Sequence, residues 1–305
     1  MVDPGRLNVL LVEAAHFVRR SMLLSRRVRG RERRETSITD DLIVRLATRG
    51  KGMVIAADAP GPESRYGADL ELWLRGGGVL LGLRLQAKSL APRKRRLGAY
   101  EHLHHVVRRR SRSSGLAWSE PQVQVLLRGT PPHLNAGYLF YNALETRPAV
   151  DSACCSHNGF GRRHGRLGLT YTSAESVKHL NSMNPRPNGI ADVLPLSVPF
   201  QCLANCNRWG WFPGFEGPIP MPVRAADLPL GLAGGRPPAL VLDPTRPLDD
   251  SLRRVLGSFP VEIHDEVLLP EYVLSLLTQG TLGEEAVPSA KRVVVMSEDP
   301  LPRDE

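Results

Sequence analysis

The stretches G-A-D-L-E-L-W-L at 67–74, R-G-G-G at 75–78 and V-L-L-G-L-R-L-Q-A-K at 79–88 decide the reading of this chain. Ala68 to Leu74 and Val79 to Ala87 are short, apolar and rich in leucine and valine, so they predict adjacent strands. The glycines at 76–78 make a loop long enough for an antiparallel turn. Asp69 sits in the first strand, where an unpaired charge is expensive unless it lies at the strand end. Gln86 and Lys88 share parity with Arg84, so all three leave one face of their strand. Leu83, Leu85 and Ala87 leave the other, toward a core. Pairing the two strands brings Asp69 beside Gln86 and Lys88, with Glu71 as a second carboxylate on the Asp69 face.

That set of groups has a chemistry. Asp69 offers charged oxygens to Mg2+ or Mn2+, hard ions that prefer oxygen. Gln86 adds a side-chain carbonyl, the Ala87 backbone carbonyl another, and Glu71 is a further metal candidate. Lys88 can orient a water or stabilise charge on a phosphodiester in its transition state. The competing reading is a solvent-facing Asp and Lys on a half-buried sheet.

Working outward, Ser37 is expected to cap a helix over about 38–48, with Asp40 in its first turn. Met53 to Ala57 reads as a strand. Leu97, Tyr100, Leu103, His104 and Val107 recur at three and four among arginines, which predicts a basic amphipathic helix over 93–110. Gln122 to Leu127 fits a strand or a short helix, and Gly137 to Tyr141 fits a strand. Thr172 or Ser173 caps a helix to about Leu180, and Pro270 opens a helix through Leu277. Val293 to Met296 reads as a last strand. The fold class is α/β in the broad sense, more specifically α+β. The chain divides into a basic leader (1–34), a core (35–142), a Cys-containing region rich in proline and glycine (143–247), and a C-terminal helix and strand with an acidic tail (248–305).

The G-A-D-L-E-L-W-L and L-Q-A-K segments resemble the core of the PD-(D/E)xK restriction-endonuclease-like superfamily, in its D…QxK variant. E-T-S-I-T-D-D-L at 35–42, L-G-L-R-L-Q-A-K at 81–88 and Y-L-F-Y-N at 138–142 are similar to a poorly characterised bacterial family of such proteins. The superfamily resemblance covers about 35–142, and the family resemblance reaches Cys206. It implies an αβββαβ core with a mixed sheet, assembled from helix 38–48, strands 53–57, 68–74 and 79–87, helix 93–110 and the next strand. It also implies Asp69 and Gln86 as metal ligands, Lys88 as the assisting lysine, and Glu35 as a further acid on the first helix, with Asp40 or Asp41 as substitutes. Glutamine stands at 86 where glutamate is commoner, which removes one negative charge from the metal site, and no proline precedes Asp69.

The formal net charge is +9, from 40 Lys plus Arg against 31 Asp plus Glu. Arginines crowd 19–34, and basic residues crowd 93–96 and 108–110, which suits phosphate contacts. Helix 93–110 is expected to touch backbone phosphates beside the cut site, while His102, His104 and His105 are mainly helix-surface residues. Cys154, Cys155, Cys202 and Cys206 are expected to be small buried hydrophobes with free thiols; the alternative is a structural zinc site completed by His157 or His164. Trp209, Trp211, Phe212 and Phe215 are expected to pack in a core or to stack on unpaired bases.

Four cysteines do not make a disulfide scaffold. No apolar run is long enough to span a bilayer. L-N-V-L-L-V-E-A-A-H-F at 7–17 is interrupted by Glu13 and His16 and lacks a basic lead-in, so export is not expected and a cytoplasmic location is. The expected function is Mg2+- or Mn2+-dependent hydrolysis of DNA, with RNA as the other substrate. The superfamily resemblance adds bacterial defence, with a homo-oligomer or a defence-system partner compatible. The alternative is a binding or interaction component that keeps the nuclease-like fold without cleaving.

Overall fold

The computed structural model describes residues 4–29, 34–58, 68–76, 78–90, 98–100, 102–110, 117–146, 164–203, 239–245, 262–264, 269–282, 290, 292–297 and 301. Helices α1 (Pro4–Arg29) and α2 (Glu35–Arg49) come first, then strands β1 (Val54–Asp58), β2 (Leu70–Gly76) and β3 (Val79–Ser89). Next are β4 (Val106–Arg110), β5 (Ala117–Pro121), α3 (Gln122–Gly129) and β6 (Leu134–Tyr141). β7 (Leu169–Ser173), α4 (Ala174–Ser182), α5 (Ile190–Val193) and β8 (Val198–Pro199) follow. The last elements are β9 (Ala239–Leu242), β10 (Glu262–His264), α6 (Glu271–Gln279) and β11 (Arg292–Ser297).

β2 and β3 pair antiparallel, from Leu70 opposite Leu85 to Gly76 opposite Val79. Gly78 turns the chain at φ +85°, a left-handed conformation that side-chain-bearing residues avoid. The mixed sheet runs β1-β11-β2-β3-β6-β7-β8, with β9 also paired to the start of β3 and β10 paired to β9. β11 lies parallel to β2 and antiparallel to β1, so the last strand separates two that are neighbours in sequence. β6 lies parallel to β3, with Gln86 opposite Tyr138 and Lys88 opposite Phe140. The sheet is thus mixed, with helices on both faces, and the fold is α+β.

Strand parity sorts the core. Leu83, Leu85 and Ala87 face α1 and α2. Leu7, Leu11, Ala14, Val18 and Met22 of α1, spaced by three and four, are buried there beside Ile38, Leu42 and Leu46 of α2. The 1–34 segment therefore supplies core helix as well as basic charge. Two of its arginines act as anchors: Arg19 Nε donates to the Leu144 carbonyl at 2.6 Å, and Arg26 Nη2 to the Leu90 carbonyl at 2.5 Å. The opposite face is covered by α3 and α4, through Val123, Leu126, Val177 and Leu180 against Tyr138 and Phe140. α6 packs Tyr272, Val273 and Leu276 on Trp73, Val293 and Val295 of that same face.

The structure corrects three local expectations. The described part of 93–110 is turn and strand, not helix: β4 pairs with β5, and Ala99 bridges Gly189. Gly98 sits at φ +66°, Tyr100 N donates to the Asn188 carbonyl, and Val106–Val107 favour extended backbone. Tyr100 and Leu103 are buried as expected, but from a turn. The helix between β3 and β6 is instead α3. Second, α2 begins at Glu35, with Arg34 at the cap position, so Ser37 lies inside it. Third, Asp40 lies beyond the first turn of α2, whose acidic residue is Glu35, and is ion-paired with Arg292 of β11. The predicted cap at Ser173 is present, its Oγ accepting from Ser176 N at 3.2 Å, and the helix expected from Pro270 begins one residue later, at Glu271. Arg93, Lys94, Arg95 and Arg96 lie outside the described residues.

β9 is tied to the sheet by a buried ion pair. Arg75 Nε donates to Asp243 Oδ2 at 2.6 Å and Nη2 to Thr245 Oγ1 at 2.5 Å. Removing one partner strands the other charge in the interior. Arg75→Ala is therefore expected to cost about 3–5 kcal/mol in denaturant unfolding. A loss under about 1 kcal/mol, the range of exposed ion pairs, would contradict this role.

Candidate functional site

The polar groups collect where β3 and β6 end and β2 begins. Asp69 precedes β2 and is fixed by its own backbone, its N–H donating to the Leu85 carbonyl at 2.9 Å. Its Oδ2 accepts from Ala87 N at 2.8 Å and from Gln86 Nε2. Gln86 Oε1 in turn accepts from Gln122 Nε2 at 2.7 Å. Gln122 Oε1 accepts from Lys88 Nζ at 3.0 Å. One directed chain thus runs from an ammonium, through two amides, to a carboxylate.

Each member is placed by local structure. Gln86 and Lys88 project from β3 onto the face covered by α3, and both are buried. Gln122 is the first residue of α3, just after Pro121, and its N–H donates to the His105 carbonyl at 2.8 Å. Val123 and Leu126 anchor that helix on Tyr138 and Phe140, so the Gln122 amide is held over β3. Glu35, at the first turn of α2, reaches the same strand end. Its Oε1 accepts from Ser89 N at 2.8 Å and Ser89 Oγ at 3.4 Å.

The electrostatics follow from burial. Lys88 is 4 % exposed. Desolvation lowers its pKa from the ordinary lysine range, while the charges of Glu35 and Asp69 act against that fall. His105, at the exposed rim, is also lowered, first by partial desolvation and then by the Lys88 and His102 charges. The Tyr138 hydroxyl is raised by burial and by the Asp69 charge. The unfolded chain binds the Lys88 proton more tightly than the folded one, so this group's contribution to stability is greatest above the unfolded value of about 10.4 and is lost as pH falls toward the folded value. The stability of the wild type minus that of Lys88→Met is therefore expected to rise as pH approaches about 10.4. A difference that stays flat over that range would contradict it.

Glu71 stands apart from this cluster. It is fully buried, and its Oε1 accepts from Trp73 Nε1 at 2.7 Å and from the Tyr272 hydroxyl at 2.5 Å, under α6. Among the described residues, no three His, Cys, Asp or Glu side chains converge as a metal cluster. Cys202 is buried in the α1 core. Cys154, Cys155, His157 and Cys206 lie outside the described residues, as do Trp209, Trp211, Phe212 and Phe215; of His164 only the backbone is described.

The donors of the β3 cluster suit a weakly held hard cation. Mg2+ commonly takes one or two carboxylates and fills its remaining positions with water and phosphate oxygens. Asp69 would supply the carboxylate, and Gln86 would supply a carbonyl only if its amide turned, because its nitrogen faces Asp69. The Tyr138 hydroxyl, opposite Gln86 in the sheet, is buried and finds no hydrogen-bond partner among the described residues. A buried hydroxyl of that kind fits a site with room for a further polar ligand.

Residues 7–300 match a family of unknown function, DUF6615. The chain belongs to that family. No curated protein and no solved structure matches it. No helix among the described residues is long and apolar enough to cross a membrane.

Gln122 is the site residue that sequence reading missed. Its strand-or-helix segment carries no motif, and the only signal is a polar side chain at the first turn of a short amphipathic helix.

Proposed function

We propose that this chain is a divalent-metal-dependent nuclease that hydrolyses phosphodiester bonds in DNA, with Asp69, Gln86 and Lys88 at the hydrolytic site. The observation that carries the proposal is the chain Lys88–Gln122–Gln86–Asp69, which joins a buried lysine to a carboxylate at the end of paired strands. Metal-dependent phosphodiester hydrolysis uses groups of that kind: a carboxylate for a hard cation, and a fixed positive charge beside it. When bound, Mg2+ or Mn2+ polarises the phosphate and lowers the pKa of an attacking water. Asp69 and Gln86 would hold that ion through oxygen. Lys88 would place its ammonium against the phosphate as negative charge develops. Glu35 keeps a second carboxylate at the end of the same strand.

Two further observations support this reading. The order α2-β1-β2-β3-α3-β6 follows the αβββαβ sequence of the superfamily that the D…QxK segment resembles, with the β4–β5 pair between β3 and α3. The net charge of +9 favours a polyanionic partner. A role in bacterial defence rests on the resemblance alone. The second reading is a nucleic-acid-binding protein that does not cleave. It is favoured by a neutral Gln86 whose nitrogen, rather than its oxygen, faces Asp69.

Incubating purified protein with plasmid, linear single-stranded DNA and RNA in Mg2+, Mn2+ or EDTA separates the two. The proposal expects metal-dependent cleavage, with DNA preferred. Retarded migration without strand breaks in any condition would favour the second reading.

A further inference from the structure

The hydrogen-bond polarity of the two amides is fixed by the groups at their ends. Lys88 Nζ can only donate, so Gln122 must turn its oxygen toward it. Gln122 Nε2 then faces Gln86, which must answer with Oε1 and turn its own nitrogen toward Asp69. A cation held by Asp69 and Gln86 needs the opposite orientation at Gln86, oxygen inward. Turning Gln86 alone would set its nitrogen against that of Gln122. Turning both removes that conflict and moves it one step on, to the Gln122 nitrogen against the Lys88 ammonium. Buried donors set against one another are costly, so the last group must leave.

We propose that Gln122 is a positioning residue, and that Gln86 and Gln122 form a two-amide relay which turns as a unit when a divalent cation binds, transferring Lys88 from Gln122 to the substrate phosphate. The inference rests on the hydrolytic reading of Asp69, Gln86 and Lys88 and adds a coupling to it. In the orientation observed, the lysine is held against an amide oxygen. Cation binding and lysine release are then a single event, although Gln122 touches neither cation nor substrate.

The test uses full-length protein with glutamine side-chain amides labelled with 15N, titrated with Mg2+ alone and assigned with Gln86→Glu and Gln122→Met. Both side-chain signals should move with one midpoint, and neither should move in Asp69→Asn. Movement of Gln86 without Gln122 would overturn the relay and leave the hydrolytic site standing. Calorimetry that detects no Mg2+ binding sensitive to Asp69→Asn would overturn the site and the relay with it.

Substitution gives a second readout. Gln122→Met keeps the bulk but cannot hold Gln86 in its present orientation, so Mg2+ should bind about two- to tenfold tighter, the worth of one net hydrogen bond. A merely structural role for Gln122 predicts weaker binding, and that result would overturn the proposal.

Discussion

Asp69→Asn is expected to lower strand cleavage by at least about a hundredfold, the scale of losing one electrostatic contributor to a transition state, while the protein stays folded. The substitution is nearly isosteric. Asp69 Oδ2 accepts from Ala87 N at 2.8 Å, and the asparagine oxygen can keep that bond. What disappears is the negative charge that the site brings directly against Gln86. A neutral amide beside another neutral amide holds a hard cation poorly. Thermal unfolding and far-UV dichroism in EDTA should match wild type, whereas nicking in Mn2+ should not. Cleavage retained within a few-fold would move the chemistry away from this strand end.

The second large effect is expected at Gln86→Glu, and it has opposite signs with and without cation. In EDTA the new carboxylate meets Asp69 where an amide nitrogen now donates to it. Two like charges at hydrogen-bonding distance repel, and one of them takes up a proton or the fold loosens. A loss of about 1–3 kcal/mol follows from replacing a satisfied buried donor with an unsatisfied acceptor. With Mg2+ the same pair becomes a stronger chelate, and affinity should rise at least about tenfold, equivalent to about 1.4 kcal/mol. The variant should therefore be less stable than wild type in EDTA and show the larger Mg2+-induced rise in melting temperature. Equal melting curves in both buffers would show that Gln86 and Asp69 do not form a cation site.

The part of this site carried by local pattern was legible in the amino-acid order. Alternation in 79–88 put Gln86 and Lys88 on one face, and the antiparallel pairing that closes at Gly76 opposite Val79 brought the start of β2 to the end of β3. What stayed hidden depended on distant partners. Tyr100, Leu103 and Val107 have helical spacing, yet their segment is held by backbone bonds to Asn188 and Ile190, about ninety positions along the chain and invisible to any window of sequence. β11 enters the sheet between β1 and β2 for the same kind of reason, since a parallel strand is joined by chain far outside its own pattern. Glu71 shared a face with Asp69 by parity, but parity is silent on Trp73 and Tyr272, which claim its carboxylate. Gln122 lacked a signal because its importance lies wholly in what it touches.

The central claim is that Lys88 and Asp69 serve one metal-dependent hydrolytic reaction, and the direct test is a nicking assay on supercoiled plasmid. Wild type in Mn2+ should convert it to open-circular or linear product and should stop in EDTA. Lys88→Met and Asp69→Asn, at equal concentration and with native melting curves, should each fall to background. Cleavage by wild type that persists unchanged in both variants would contradict the account.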